Sequence, residues 1–241
     1  MGDALNILLA GATGLVGGLV LNFFPLHRVL DTGLGSLAAD GKAQPRVKHG
    51  VTGENGQIII IPVTRRPIPG RAGVVADFDD LPPLPPARIA ICALGTTRAK
   101  AGSDAAFRAV DHDAVLSFAQ AAQTAGVVHF ILVSSVGADP QARLLYPRTK
   151  GEVEAALSAM GFARLDIVQP GLLIGPRAER RPVERFLQWA APVMDALLPR
   201  ALGSLPAHTV TGAILALITQ DQPGLFRHTN RDLAALAAGR L

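Results

Sequence analysis

Cysteine is almost missing from this 241-residue chain, which carries only Cys92. A disulfide framework within the chain is therefore excluded, and a reducing compartment, read as the cytoplasm, is expected. Cys92 falls in the apolar run 89–94 and reads as a small buried hydrophobe. Aromatic residues make up 5% of the chain and charged residues 17%, and the formal net charge is +4. No basic block with interleaved aromatics occurs, which argues against a nucleic-acid surface. The histidines (His27, His49, His112, His129, His208, His228) show no ligand spacing, so no metal site is expected. No basic segment precedes the uncharged, mostly apolar run 5–24, so that run does not read as a signal peptide. It is long enough to span a bilayer, but its glycines at 11, 14, 17 and 18 fit a phosphate-binding turn better, and no membrane partner is expected. Internal repeats and low-complexity tracts are absent.

What is present suffices for one sizeable core, since 49% of the residues are apolar. Strand-like runs at 6–10, 57–63, 88–94, 127–133 and 165–168 alternate with helical patterns at 15–24, 107–124 and 149–160, and a short strand fits 73–76. The isoleucine-rich strand 57–63 reads as buried on both faces. Such alternation predicts an α/β fold, a doubly wound parallel sheet covered by helices on both faces. The whole chain, 1–241, reads as one dinucleotide-binding domain. Helices at 183–198 and 209–219 would make 177–241 a small, substrate-shaping part of it. Two stretches break the rhythm: a Gly-rich polar insertion at 27–55, and a connector at 80–86 stiffened by prolines.

Four signals carry chemistry. Gly11-Ala12-Thr13-Gly14-Leu15-Val16-Gly17 lies between a strand and a helix, where glycines allow a tight turn and the helix N-terminus attracts a pyrophosphate. Thr64-Arg65-Arg66 follows the second strand with no acidic residue to hold ribose hydroxyls, so NADP(H) is preferred over NAD(H). Tyr146 and Lys150 share a helix face, and the ammonium favours the phenolate, fitting Tyr146 for proton transfer. Pro147 suggests that Tyr146 caps that helix. Ser134 and Ser135 end a strand upstream, and Ser135 is favoured to hold a substrate oxygen. The Arg177–Arg185 cluster reads as a solvated loop.

The glycine turn, Asp77-Phe78, the run Cys92-Ala93-Leu94-Gly95-Thr96-Thr97-Arg98-Ala99-Lys100-Ala101-Gly102, Val110-Asp111, Ser134-Ser135, Tyr146 through Lys150-Gly151-Glu152-Val153-Glu154, and Pro170-Gly171 extend the pattern. Together they resemble the atypical short-chain dehydrogenase/reductases, in the branch of the Tat-interacting oxidoreductase, over about residues 5–176. The resemblance implies that Gly11, Thr13, Gly14, Leu15, Val16 and Gly17 hold the pyrophosphate and that Arg65 and Arg66 bind the 2′-phosphate. It places Asp77 and Phe78 at the adenine, and Leu94, Gly95 and Thr96 on the adjoining ribose side. Val133, Ser134 and Pro170 would also line the cofactor, with Gly171, Leu172 and Leu173 approaching the nicotinamide. Tyr146 would be the acid/base and Lys150 would bind the nicotinamide ribose. Gln169 stands where many relatives carry arginine.

These observations predict an NADP(H)-dependent oxidoreductase that reduces a small carbonyl or quinone-like substrate, with Ser135, Tyr146 and Lys150 as catalytic residues, in a monomer or homodimer. A regulatory or partner-binding protein that holds NADP(H) without efficient turnover is the rival. Nucleotide-sugar chemistry ranks last, because the part after residue 176 leaves little room for a sugar-binding lobe.

Overall fold

Strand β1 (Leu5–Ala10) is the hinge of the architecture, pairing in parallel with β2 (Ile58–Thr64) on one side and β4 (Ile89–Cys92) on the other. The computed structural model describes residues 4–24, 58–175 and 203–239. The insertion expected at 27–55, the helix expected at 183–198 and the arginine cluster lie outside the described residues. The sheet has seven strands in the order β3-β2-β1-β4-β5-β6-β9, all parallel, with β3 at Val74–Val75, β5 at His129–Val133, β6 at Arg164–Val168 and β9 at Gly224–His228. The chain runs outward from β1 to β3, then crosses back to β4. That reversal opens a crevice at the carboxyl ends of β1 and β4, where ligands bind in sheets of this kind. A small parallel pair, β7 (Leu173–Ile174) and β8 (Leu205–Pro206), sits beyond the main sheet.

Alternation along the strands divides the core in two. Ile7 and Leu9 face one layer, packed with Val16 and Val20 of α1 (Leu15–Phe23), Val210 and Ile214 of α6 (Ala207–Ile218), and Leu233 of α7 (Asn230–Ala237). Leu8 and Ala10 face the other, packed with Val115 and Phe118 of α4 (Ala114–Thr124) and Val153 and Leu157 of α5 (Leu145–Ala159). Helices on both faces confirm the Rossmann-type doubly wound class. Short α2 (Arg98–Ala101) precedes α3 (Asp104–Arg108), which continues through a π-helical turn (Ala109–Asp113) into α4, so the helix expected at 107–124 starts earlier and carries a wide turn.

Within residues 205–237, β9 lies at one edge of the main sheet and α6 packs against α1 and α7. Two expectations are corrected. The start of β2 is not buried on both faces: Ile59 is exposed and Ile58, Ile60 and Ile61 are only partly buried, whereas Val63, where β3 pairs, is fully buried. Helix α5 begins at Leu145, not after Pro147, so Tyr146 lies in its first turn rather than capping it. Proline is tolerated there because the first N–H groups of a helix have no intrahelical acceptor. Among the described residues no helix is long and apolar enough to cross a membrane.

Candidate active site

The glycine turn is shaped by close backbone approach. Gly11 has φ +81°, and a Cβ on it would lie 2.3 Å from the Ala93 carbonyl oxygen just past β4. A Cβ on Gly17 would lie 2.3 Å from the Gly11 carbonyl oxygen. Both positions are therefore restricted to glycine by sterics. Gly14 is the N-cap of α1 and offers no side-chain acceptor, so the N–H groups of the first turn remain available at the crevice. Thr13 and Gly14 are exposed, whereas Val16 is buried in the core and can present only its backbone.

At the far side of the crevice α5 carries Tyr146 and Lys150. Tyr146 is 46% exposed and its ring packs on Phe107 of α3, centroids 5.9 Å apart. Lys150 is buried, and its Nζ lies 2.8 Å from Asp111 Oδ1 in the π-helical turn. Asp111 Oδ2 accepts the Thr96 N–H at 2.7 Å, which pins the loop after β4 to the same carboxylate. Arg108 Nη1 reaches Glu152 Oε2 at 2.6 Å and adds a further tie between the helices. A Cβ on Gly151 would stand 2.2 Å from Pro140 N, so the loop after β5 can lie flat on α5 only over glycine.

The adjacent serines differ. Ser134 Oγ donates to Glu154 Oε1 at 2.5 Å, and its N–H donates to the Val168 carbonyl. Ser135 Oγ is buried with no hydrogen-bond partner among the described residues. An unpaired buried hydroxyl costs stability unless something else satisfies it, which fits a group that holds a bound oxygen. Gln169, in the place of the expected arginine, donates Nε2 to both oxygens of Glu154 at 2.9 and 3.0 Å, and Arg227 of β9 stands 3.7 Å from the same carboxylate. The Pro170 carbonyl accepts the Val136 N–H, and Gly171 N–H donates to Asn230 Oδ1 at 2.8 Å. Asn230 Nδ2 donates in turn to the Gly203 carbonyl, so α7 holds the segment containing Leu172 and Leu173.

The remaining expected residues fall along the same sheet end. Arg65 and Arg66 are exposed directly after β2, beside Asp77, which is exposed just past β3; the Ala76 N–H bonds the Thr64 carbonyl between them. The Phe78 ring is buried edge-on to Phe118, which leaves its backbone at this sheet end. Leu94 is half-buried against the core, Gly95 and Thr96 sit over the Asp111–Lys150 pair, and Val133 is buried at the end of β5. Burial pushes the Cys92 thiol up to about 12, so it is an inert core group. Asp111, Phe107, Glu154 and Asn230 were given no role by sequence reasoning. For Asp111 a signal existed, a carboxylate on the apolar face that also carries Val115 and Phe118.

No protein-family model matches the chain. Protein fmp52, mitochondrial, of Emericella nidulans is 44% identical over 116 residues, 48% of this chain and 49% of its own length. Protein HTATIP2 of Rattus norvegicus is 42% identical over 148 residues, 58% of this chain and 59% of its own length. The match thus spans about half the length of these relatives. A longer match, 34% identical over 189 residues, covers 77% of this chain and 74% of the fmp52 protein of Aspergillus fumigatus. Among solved structures, MoeE5 in complex with UDP-glucose and NAD superposes with a TM-score of 0.61 at 16% identity, covering 97% of this chain and 81% of its own. RMD from Pseudomonas aeruginosa complexed with NADPH gives a TM-score of 0.57 at 16% identity, over 93% and 78%. At such identities the likeness is one of fold. The expected cytoplasmic location is overturned, because the fungal relatives are named mitochondrial. A lone buried cysteine reports a reducing compartment without saying which one.

Proposed function

This chain belongs to the atypical short-chain dehydrogenase/reductase family that holds fmp52 and HTATIP2, and from that membership we propose that it is an NADP(H)-dependent oxidoreductase of a small carbonyl or quinone-like substrate. The observation that carries the reading is the buried, unpartnered Ser135 hydroxyl at the strand-end face that also bears the glycine turn, Tyr146 and Lys150. The residues present fit the cofactor. Gly11 and Gly17 leave room for close approach, the first turn of α1 meets the pyrophosphate, and Arg65 and Arg66 take the 2′-phosphate. Lys150 donates to a ribose hydroxyl. NADPH held by these residues would supply the hydride for the substrate carbon. The Ser135 O–H donates a hydrogen bond to the substrate oxygen as charge develops there, and the Tyr146 phenol delivers the proton.

NADPH oxidation across a panel of aldehydes, ketones and quinones tests this. Turnover that falls about a hundredfold or more in Tyr146→Phe supports it. Saturable NADPH binding with no turnover on any member would favour a second reading, a cofactor-holding regulatory protein. That reading is supported by the commitment of Lys150 to Asp111. Absence of any saturable NADPH signal would sink both.

A further inference from the structure

Asp111 brings a charge to a place where the surrounding pattern is apolar. It is 1% exposed, and it lies one helical turn beyond Phe107 on the face that meets α5. The two helices match residue for residue: Phe107 packs on Tyr146, and Asp111 pairs with Lys150. The Thr96 N–H donates to Oδ2, while Oδ1 meets Lys150 Nζ as an ion pair without a hydrogen bond, and a Cβ on Gly95 would lie 3.5 Å from Asp111 Oδ1 and 3.9 Å from Lys150 Nζ. The loop after β4, the π-helical turn and α5 thus converge on one carboxylate. Opposite charges 2.8 Å apart largely cancel as seen from a phenol one turn away, which feels a dipole in place of a full positive charge.

From this geometry we infer that Asp111 is a positioning residue that aims Lys150 as a hydrogen-bond donor and cancels most of its charge at Tyr146, so that the proton affinity of the phenol is set by the Asp111–Lys150 pair and not by the lysine alone.

The other charged groups near this surface have partners of their own. Arg108 and Arg148 face Glu152, His112 pairs with Asp113, Arg98 with Asp104, and Asp139 accepts the Gln141 N–H. Glu154 is engaged by Ser134 and Gln169, with Arg227 nearby. Lys100 and Arg143 are exposed, and their charge is screened by solvent. The buried Cys92 thiol, held neutral, adds no charge beside the pair. The inference rests on reading Tyr146 as the acid/base.

The chain's single tyrosine allows a direct test, because tyrosinate absorbance in a pH titration of the cofactor-free protein reports Tyr146 alone. In Asp111→Asn the band should rise at lower pH than in the unsubstituted protein. In Lys150→Met, which uncovers the carboxylate, it should rise at higher pH. The double variant should return towards the unsubstituted midpoint. An unmoved midpoint in both single variants, or an Asp111→Asn shift that persists in the double variant, overturns the inference. If Asp111→Asn alone does not fold, Lys150→Met and the double variant decide: equal midpoints in the two overturn it, since an uncancelled carboxylate must raise the first above the second. The titration needs neither cofactor nor substrate. Its failure leaves NADPH binding and the Tyr146→Phe test standing, and absence of turnover leaves the titration intact.

Discussion

Ser134 and Ser135 are neighbours, both buried, with opposite prospects on substitution. Ser134 is one member of a saturated network with Glu154 and Gln169, so Ser134→Ala removes a charge-assisted bond and should lower stability by about 1–3 kcal/mol in chemical denaturation. Ser135 has no hydroxyl partner to lose among the described residues. Ser135→Ala should leave the unfolding midpoint almost unchanged while reducing turnover on order of a hundredfold, a combination a purely structural serine would not give. The sequence favoured Ser135 over Ser134 by position alone; the reason, that Glu154 claims the other hydroxyl, needed the third dimension. Tyr146 and Lys150 were legible from their spacing and from the scarcity of tyrosine. Asp111 offered only the signal of a carboxylate on an apolar face; that Lys150, 39 positions away, is its partner follows from no local pattern.

Among the elements, α5 and the loop after β5 laid on it carry Tyr146 and Ser135. Gly151 is the contact that permits this. Gly151→Ala would force a Cβ against backbone atoms of Asp139 and Pro140, and nothing at the far end of a flexible side chain can yield. We expect the variant to lose about 2 kcal/mol or more, read as a lowered denaturation midpoint, and to lose turnover with it. The start of α5 shows how a sequence rule was overridden. Proline usually turns the preceding residue away from helical geometry, yet Leu145 and Tyr146 are helical here because packing on α3 and the Asp139 N–H bond to the Pro147 carbonyl hold the first turn in place. The π-helical turn was likewise invisible, since apolar spacing cannot distinguish one wide turn from an ordinary one.

For the whole molecule, acid should be the weak direction. Asp166, in the middle of β6, is pushed up by burial, but hydrogen bonds from His129, His228 and Arg164 outweigh that and hold its carboxyl well below the usual range. The stability it contributes is present above the unfolded carboxyl value and is lost as pH falls through the folded one. His129 is held below its usual value by burial, against the pull of Asp166, so unfolding lets it gain a proton as pH falls through the ordinary imidazole range. Both effects have the same sign. The melting temperature should fall modestly from about pH 7 to 5 and steeply below about pH 4, and Asp166→Asn should flatten the steep limb. Cofactor should act the other way: NADPH at about a hundred times its Kd adds about 2.7 kcal/mol, a rise of roughly 5–10 °C in Tm, and NADH at the same concentration should give less. Equal shifts from the two would remove the role given to Arg65 and Arg66.

The sequence by itself determined the class of fold and the glycine turn, because strand and helix periodicity and the steric freedom of glycine are local properties written in consecutive residues. It also marked the Tyr146–Lys150 pair, whose spacing is one helical turn. Only the tertiary structure decided that Ser135, of the two adjacent serines, has no hydroxyl partner among the described residues, that the Phe78 ring belongs to the core, that β9 lies at the sheet edge and that Lys150 is matched by Asp111. Each of these depends on which distant side chain arrives beside it, and burial and charge pairing are settled by that meeting.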